Sequence, residues 1–131
     1  MRILLIFLLS RPSETVIANT ILGEARGEGF RGMYAVAAVI KNRADLSGCT
    51  PAEECLLPKQ FSCNNLGVQN LLNDSPESRY ALFLARNIER LDASGVKGAT
   101  HYHTAAVSPR WSRGKTPVVV VGRHKFFEIQ D

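Results

Sequence analysis

Seven residues, Gly23-Glu24-Ala25-Arg26-Gly27-Glu28-Gly29, separate two apolar helical runs and dictate a corner between them. Glycine inside a helix costs about 1 kcal/mol relative to alanine, so three glycines so close together mark a helix end and an exposed backbone turn. Before the corner, Val16, Ile17, Thr20, Ile21 and Glu24 recur at three- and four-residue spacings, and Ser13-Glu14 after Pro12 marks the start of that helix. After it, a second helix starts near Phe30-Arg31-Gly32 and runs to Arg43, apolar around nearly its whole circumference. Such a helix belongs at the centre of a fold, and Ala35, Ala37 and Ala38 let its neighbours approach closely.

The corner also carries chemistry. Glu24 and Glu28 flank Arg26. On a continuous helix the two carboxylates would share a face, with Cβ atoms about 5–6 Å apart. Gly27 argues against continuity, which places Glu24 on the last helical turn and Glu28 in the corner itself. A carboxyl half buried at such a corner and open to a cleft is in the setting that raises a Glu pKa for general-acid work. The plainer reading is a helix C-terminus followed by a solvated loop.

Farther along, residues 44–74 are irregular apart from a short helix over 51–57, with Thr50 as its cap and Pro51 in its first turn. Ser75-Pro76-Glu77 repeats that logic for an amphipathic helix reaching about Leu91, with Tyr80, Leu84, Ile88 and Leu91 on its apolar face. Strand patterns follow at 99–104, 118–121 and 124–129. Helices in the first two thirds and a short antiparallel sheet at the end give an α+β class. No repeat or linker divides the chain, so a single domain over 1–131 is expected, with an apolar leader at 1–12 and the working domain at 13–130.

Composition narrows the function classes. Sixteen Lys+Arg against twelve Asp+Glu leave a net charge of +4, which suits polyanionic partners, anionic wall polymers among them. The cations are scattered from Arg26 to Arg123 rather than clustered in a stripe, so nucleic acid is not an expected partner. The apolar run 3–9 is too short to span a bilayer, and stable membrane insertion is not expected. It sits at the lower limit of a signal-peptide core, and no persuasive cleavage site follows it. Cys49, Cys55 and Cys63 are an odd set without CxxC spacing, and their redox state stays open.

Three other clusters can serve a site. In Gly98-Ala99-Thr100-His101-Tyr102-His103, a strand would direct His101 and His103 to one side and Tyr102 to the other. With His124 and a glutamate, these histidines could form a catalytic zinc centre. No HExxH motif accompanies them, and histidines that line a cleft or bond within the sheet without metal are the expectation. Trp111, the single tryptophan, sits in a polar loop where it either lids the core or stacks on a flat ligand face such as a sugar. Gln60 and Phe61 lie in the irregular middle and say little alone.

Taken in order, ILGEARGEGFRGMYAVAAVIKNR at 21–43, LPKQFSC at 57–63, GATHYH at 98–103, PRW at 109–111 and VGRHKFF at 121–127 resemble the SleB-type cell wall hydrolases, which include spore cortex-lytic enzymes. The resemblance spans about residues 15 to 128. It implies a small lysozyme-like catalytic domain, without cofactor or metal, acting on peptidoglycan glycan strands at the bacterial wall; a monomer is expected. It further implies a lytic transglycosylase in which the glutamate matching Glu24 is the catalytic acid and then base. Glu28 is carried over as a cleft or structural residue. Gln60, His101, Tyr102, His103 and His124 become candidate contacts to substrate, and Phe61 and Trp111 candidate sugar-stacking walls.

Many members of that family carry an export signal and a wall-binding domain, and a bare catalytic domain would suit a phage-type lysis enzyme. Simple hydrolysis of the same bond, a zinc amidase built on His101, His103 and His124, and a non-catalytic wall-binding module are the competing readings.

Overall fold

The computed structural model describes residues 12–57 and 70–129. Helix α1, Pro12–Ala25, is followed by a single 3-10 turn at Arg26–Glu28 and by α2, Gly29–Ser47. The corner thus forms where the glycines demand it. Gly29 takes φ of 76°, and Gly48, with φ of 71°, closes α2 by donating its N–H to the Ala44 carbonyl at 2.9 Å. Both are left-handed positions that favour glycine.

Helix α3, Pro51–Leu56, opens on a complete capping box. Thr50 Oγ1 accepts from Glu53 N at 3.1 Å, and Glu53 Oε1 accepts from Thr50 N at 2.8 Å. Helix α4, Pro76–Arg86, is capped by Ser75, whose hydroxyl accepts from Ser78 N at 3.1 Å. It ends five residues before the expected Leu91. It stops at Asn87, where the backbone leaves helical geometry with φ of −110° and ψ of 16°, and where the backbone N–H at 3.1 Å and the side-chain amide at 2.8 Å both donate to the Phe83 carbonyl. A separate 3-10 turn, Ile88–Arg90, follows, and it keeps Ile88 in the core with Leu91 packed against it.

Strands β1 (His101–Thr104), β2 (Val119–Val121) and β3 (His124–Phe127) form an antiparallel sheet in the order β1-β3-β2. Each is shorter than its sequence pattern. The flanks of β1 and β3 are tied instead through Thr100, whose N–H donates to Phe127 O at 2.9 Å and whose hydroxyl donates to Ile129 O at 3.2 Å.

Helix α2 is central, as its all-round apolarity predicts. Met33, Val36, Ala37 and Ile40 face α1 and α4, meeting Ile21, Leu22, Leu82 and Leu84. Ala35, Ala38 and Val39 face the sheet, meeting Phe126, Val96 and Ala99. The helical lobe and the sheet therefore pack on opposite sides of one alanine-rich rod, and the architecture is α+β.

The end of α2 is stitched down by polar groups. Asn42 Nδ2 donates to the carbonyls of Lys97 at 3.0 Å and Ala99 at 2.9 Å. Arg43 Nε meets the buried carboxylate of Glu54 at 3.2 Å, which also accepts from Ser47 Oγ at 3.0 Å. Among the described residues no helix is long and apolar enough to cross a membrane.

Candidate active site at the helix corner

Strand alternation sorts the aromatic and histidine residues. The register pairs Tyr102 with Phe126 and Thr104 with His124, while His101 pairs with Phe127 and His103 with Lys125. Directly paired residues share a face. Tyr102, His124 and Phe126 therefore look inward to α2 and the corner; His101, His103, Lys125 and Phe127 look outward.

The inward face meets both carboxylates. Tyr102 Oη donates a hydrogen bond to Glu24 Oε1, joining the last turn of α1 to β1 across 78 residues of sequence. Tyr102 itself rests on Phe126 at 5.4 Å and on the edge of His124 at 5.2 Å between ring centres. Glu28 instead reaches the β2–β3 turn. Its Oε1 accepts from Arg123 Nε at 3.1 Å and its Oε2 from Arg123 N at 3.4 Å. Gly122, with φ of 58°, lets the carboxylate in, because a Cβ there would lie 2.8 Å from Glu28 Oε2. Gly32 is required on the other side, since its Cβ would come within 2.5 Å of Glu28 Cβ.

The charges around this corner come from different elements. Burial pushes the His124 imidazole below the usual histidine range; Glu28 and Glu24 oppose that shift and Arg123 adds to it. Burial also pushes the Cys55 thiol up to about 12, with the Glu24 and Glu54 carboxylates adding to the effect. Cys55 is therefore a neutral thiol at any working pH, which keeps a further anion away from Glu24. Among the described residues, Cys49 and Cys55 are not joined in a disulfide.

On the outward face Trp111, held in the 3-10 turn Arg110–Ser112, packs against His101 at 5.1 Å, His103 at 5.7 Å and Phe127 at 5.4 Å. His103 Nδ1 lies 2.7 Å from the Thr104 carbonyl. A carbonyl only accepts, so Nδ1 carries the proton there.

The structure thus splits the expected cleft residues into two groups. Tyr102 and His124 join Glu24 and Glu28, whereas His101, His103 and Trp111 form an aromatic cluster on the other side of the sheet. That split separates the three histidines that a zinc site would have to gather, and no group of three metal-ligating side chains occurs among the described residues. Gln60 and Phe61 lie outside the described residues, as does Cys63. Arg123 and Gly122, which clamp Glu28, were not singled out from sequence, although a glycine–cation pair beside His124 was the available signal.

Two hollows border this region. The larger, of about 730 Å³, opens beside the start of β1 between Asn42, Arg43, Glu54, Thr100 and His101. The smaller, of about 350 Å³, lies among Phe30, Tyr34, Tyr80, Val119 and Val121. Glu24 lines neither; it stands between the helical lobe and the middle of β1.

A family model described as Cell Wall Hydrolase matches residues 27–127. The chain belongs to the cell wall hydrolase family. Solved structures agree with that placement. The catalytic domain of the germination-specific lytic transglycosylase SleB from Bacillus anthracis superposes with a TM-score of 0.71 at 28% identity, over 89% of this chain and 94% of that one. The catalytic domain of the Bacillus cereus SleB protein gives 0.70 at 27% identity, over 89% and 90%. No curated protein sequence matches. The α+β architecture is therefore that of SleB catalytic domains. The family match begins three residues after Glu24, so the helix that carries it enters the comparison through the structural matches.

Proposed function

We propose that this cell wall hydrolase cleaves peptidoglycan glycan strands between N-acetylmuramic acid and N-acetylglucosamine as a lytic transglycosylase, with Glu24 as the single acid and base. The observation that carries this reading is the Glu24–Tyr102 hydrogen bond at the mouth of the corner, in a chain similar over 89% of its length to a lytic transglycosylase domain.

Protonated Glu24 donates to the glycosidic oxygen as its bond to muramic acid C1 breaks. The resulting carboxylate takes the proton of the muramic acid 6-hydroxyl, whose oxygen closes on C1 to leave a 1,6-anhydro end. No water is consumed, and Glu24 ends protonated as it began. The attacking hydroxyl belongs to the same sugar, so proximity supplies what a second carboxylate or an activated water would otherwise provide. The Tyr102 hydroxyl fixes the carboxyl rotamer and, as a donor, favours the carboxylate that the first step creates.

In this reading Glu28 is a positioning group, because Arg123 and the Gly122 turn already occupy both of its oxygens. The glycan lies along the edge of β1, with the hollow beside His101 as the place for its next sugar. Trp111 offers a ring face from the outward cluster. The protein works as a monomer at the wall.

Digesting purified peptidoglycan and weighing the products by mass spectrometry tests this. Anhydromuramyl ends are expected. New reducing ends would convert the reading to simple hydrolysis, and released stem peptides would remove it.

A further inference from the structure

His124 and Glu28 transfer no proton in that mechanism, yet both are enclosed, with side-chain exposures of 6% and 11%. Nδ1 of His124 is fully buried and has no hydrogen-bond partner among the described residues. It faces Glu28 Oε1 at 3.7 Å. A lone pair on that nitrogen would confront a carboxylate oxygen, whereas a proton there confronts an acceptor. The neutral ring is accordingly held as the Nδ1–H tautomer. The same ring meets Tyr102 edge-on, at 5.2 Å and 86°. Tyr102 in turn meets Glu24. Four groups thus stand in file, with the two carboxylates at its ends: Glu28, His124, Tyr102 and Glu24.

We propose that Glu28 and His124 act as a positioning pair that holds Tyr102, and through it the Glu24 carboxyl, in place for proton transfer, with His124 working in its neutral form. The proposal rests on Glu24 being the acid. Every element around the ring contributes to its charge balance. Glu24 approaches from α1, Glu28 from the corner, Arg123 from the β2–β3 turn and Tyr102 from β1. Burial outweighs the two carboxylates, so the ring releases its proton more readily than an ordinary histidine. A proton gained at lower pH would set a cation against the Tyr102 ring edge and disturb the contact that positions Glu24. His124 therefore supplies the acid-side limit of activity.

The test measures kcat and KM on soluble glycan fragments from about pH 4 to 8, a range that brackets carboxyl and imidazole titration. It compares the wild-type protein with Glu28→Gln, His124→Gln and the double variant, all normalised to folded protein. Each single variant is expected to lose about tenfold to a hundredfold in kcat through misplacement of the acid, with KM little changed. The double variant should lose no more than the worse single one, and the acid limb should move to lower pH in His124→Gln.

Wild-type kcat per folded molecule, additive losses or an unmoved acid limb would overturn the proposal. Nitrogen-15 shifts of the imidazole in the wild-type protein test it without any variant: a neutral Nδ1–H ring at neutral pH is expected, and an imidazolium or an Nε2–H ring would refute it. An active Glu24→Gln variant would instead sink the assignment of the acid, a different failure.

Discussion

Glu24 and Glu28 come from one seven-residue corner and carry the same functional group, yet the fold treats them differently. Glu24 receives a neutral hydroxyl from the middle of β1, whereas Glu28 receives a guanidinium and a backbone N–H from the β2–β3 turn. A carboxyl beside a hydroxyl can cycle between acid and anion. Glu28, held by the Arg123 guanidinium and N–H, ties the corner to the β2–β3 turn. On the proposed mechanism, the acid is told from the positioning carboxylate by the partner each meets and not by its own chemistry.

The strongest way to break this contrast is to neutralise each carboxyl in turn. Glu24→Gln should lower turnover by about 10²–10⁴-fold, the range for losing a positioned general acid. Its unfolding temperature should stay close to wild type. Retained turnover would remove Glu24 from the chemistry and leave the two glutamates equivalent.

A smaller effect is expected at the partner. Tyr102→Phe keeps the ring that packs on Phe126 and His124 but deletes the donor to Glu24. The hydrogen bond to a charged group that it removes corresponds to about 1.5–3 kcal/mol, or roughly tenfold to a hundredfold in kcat. An unchanged kcat would mean that the hydroxyl serves packing alone.

The Glu28 side can be probed without touching either carboxylate. Gly122→Ala imposes a Cβ at a position with φ of 58° and 2.8 Å from Glu28 Oε2. A loss of about 1–2 kcal/mol in chemical denaturation is expected from the left-handed backbone alone, with more if the clamp is displaced. A neutral result would show that the turn moves freely and that the clamp is not tight.

The smallest effect is a pH slope. His124 is held neutral by burial, so its folded pKa is below that of the unfolded chain. As pH falls through the ordinary histidine range, the unfolded state takes up the proton first and stability declines. Melting temperature should drop between neutral and mildly acidic pH, and His124→Gln should flatten that component of the slope. An identical slope in the variant would place the titration elsewhere.

Local chemistry accounts for much of what could be read in advance. Glycine conformational cost predicted the corner, Thr50 and Ser75 predicted two helix starts, and apolarity around residues 33–43 predicted a central helix. Where the expectation overran, to Leu91, α4 stops at Asn87, whose backbone leaves helical geometry at φ of −110° and ψ of 16°. A three- and four-residue apolar pattern persists across that stop because Ile88 and Leu91 still pack inward, so periodicity hid the break.

The site divides along the same line. The chain itself determined that a half-exposed glutamate would end a helix and that His101 and His103 would point away from Tyr102, because helix geometry and strand alternation are short-range rules. Only the tertiary structure decided which carboxylate meets the hydroxyl, which meets the arginine, and that His124 stands between them rather than with the other histidines. Those pairings join residues 78 and 95 positions apart, through a strand register that no local pattern encodes.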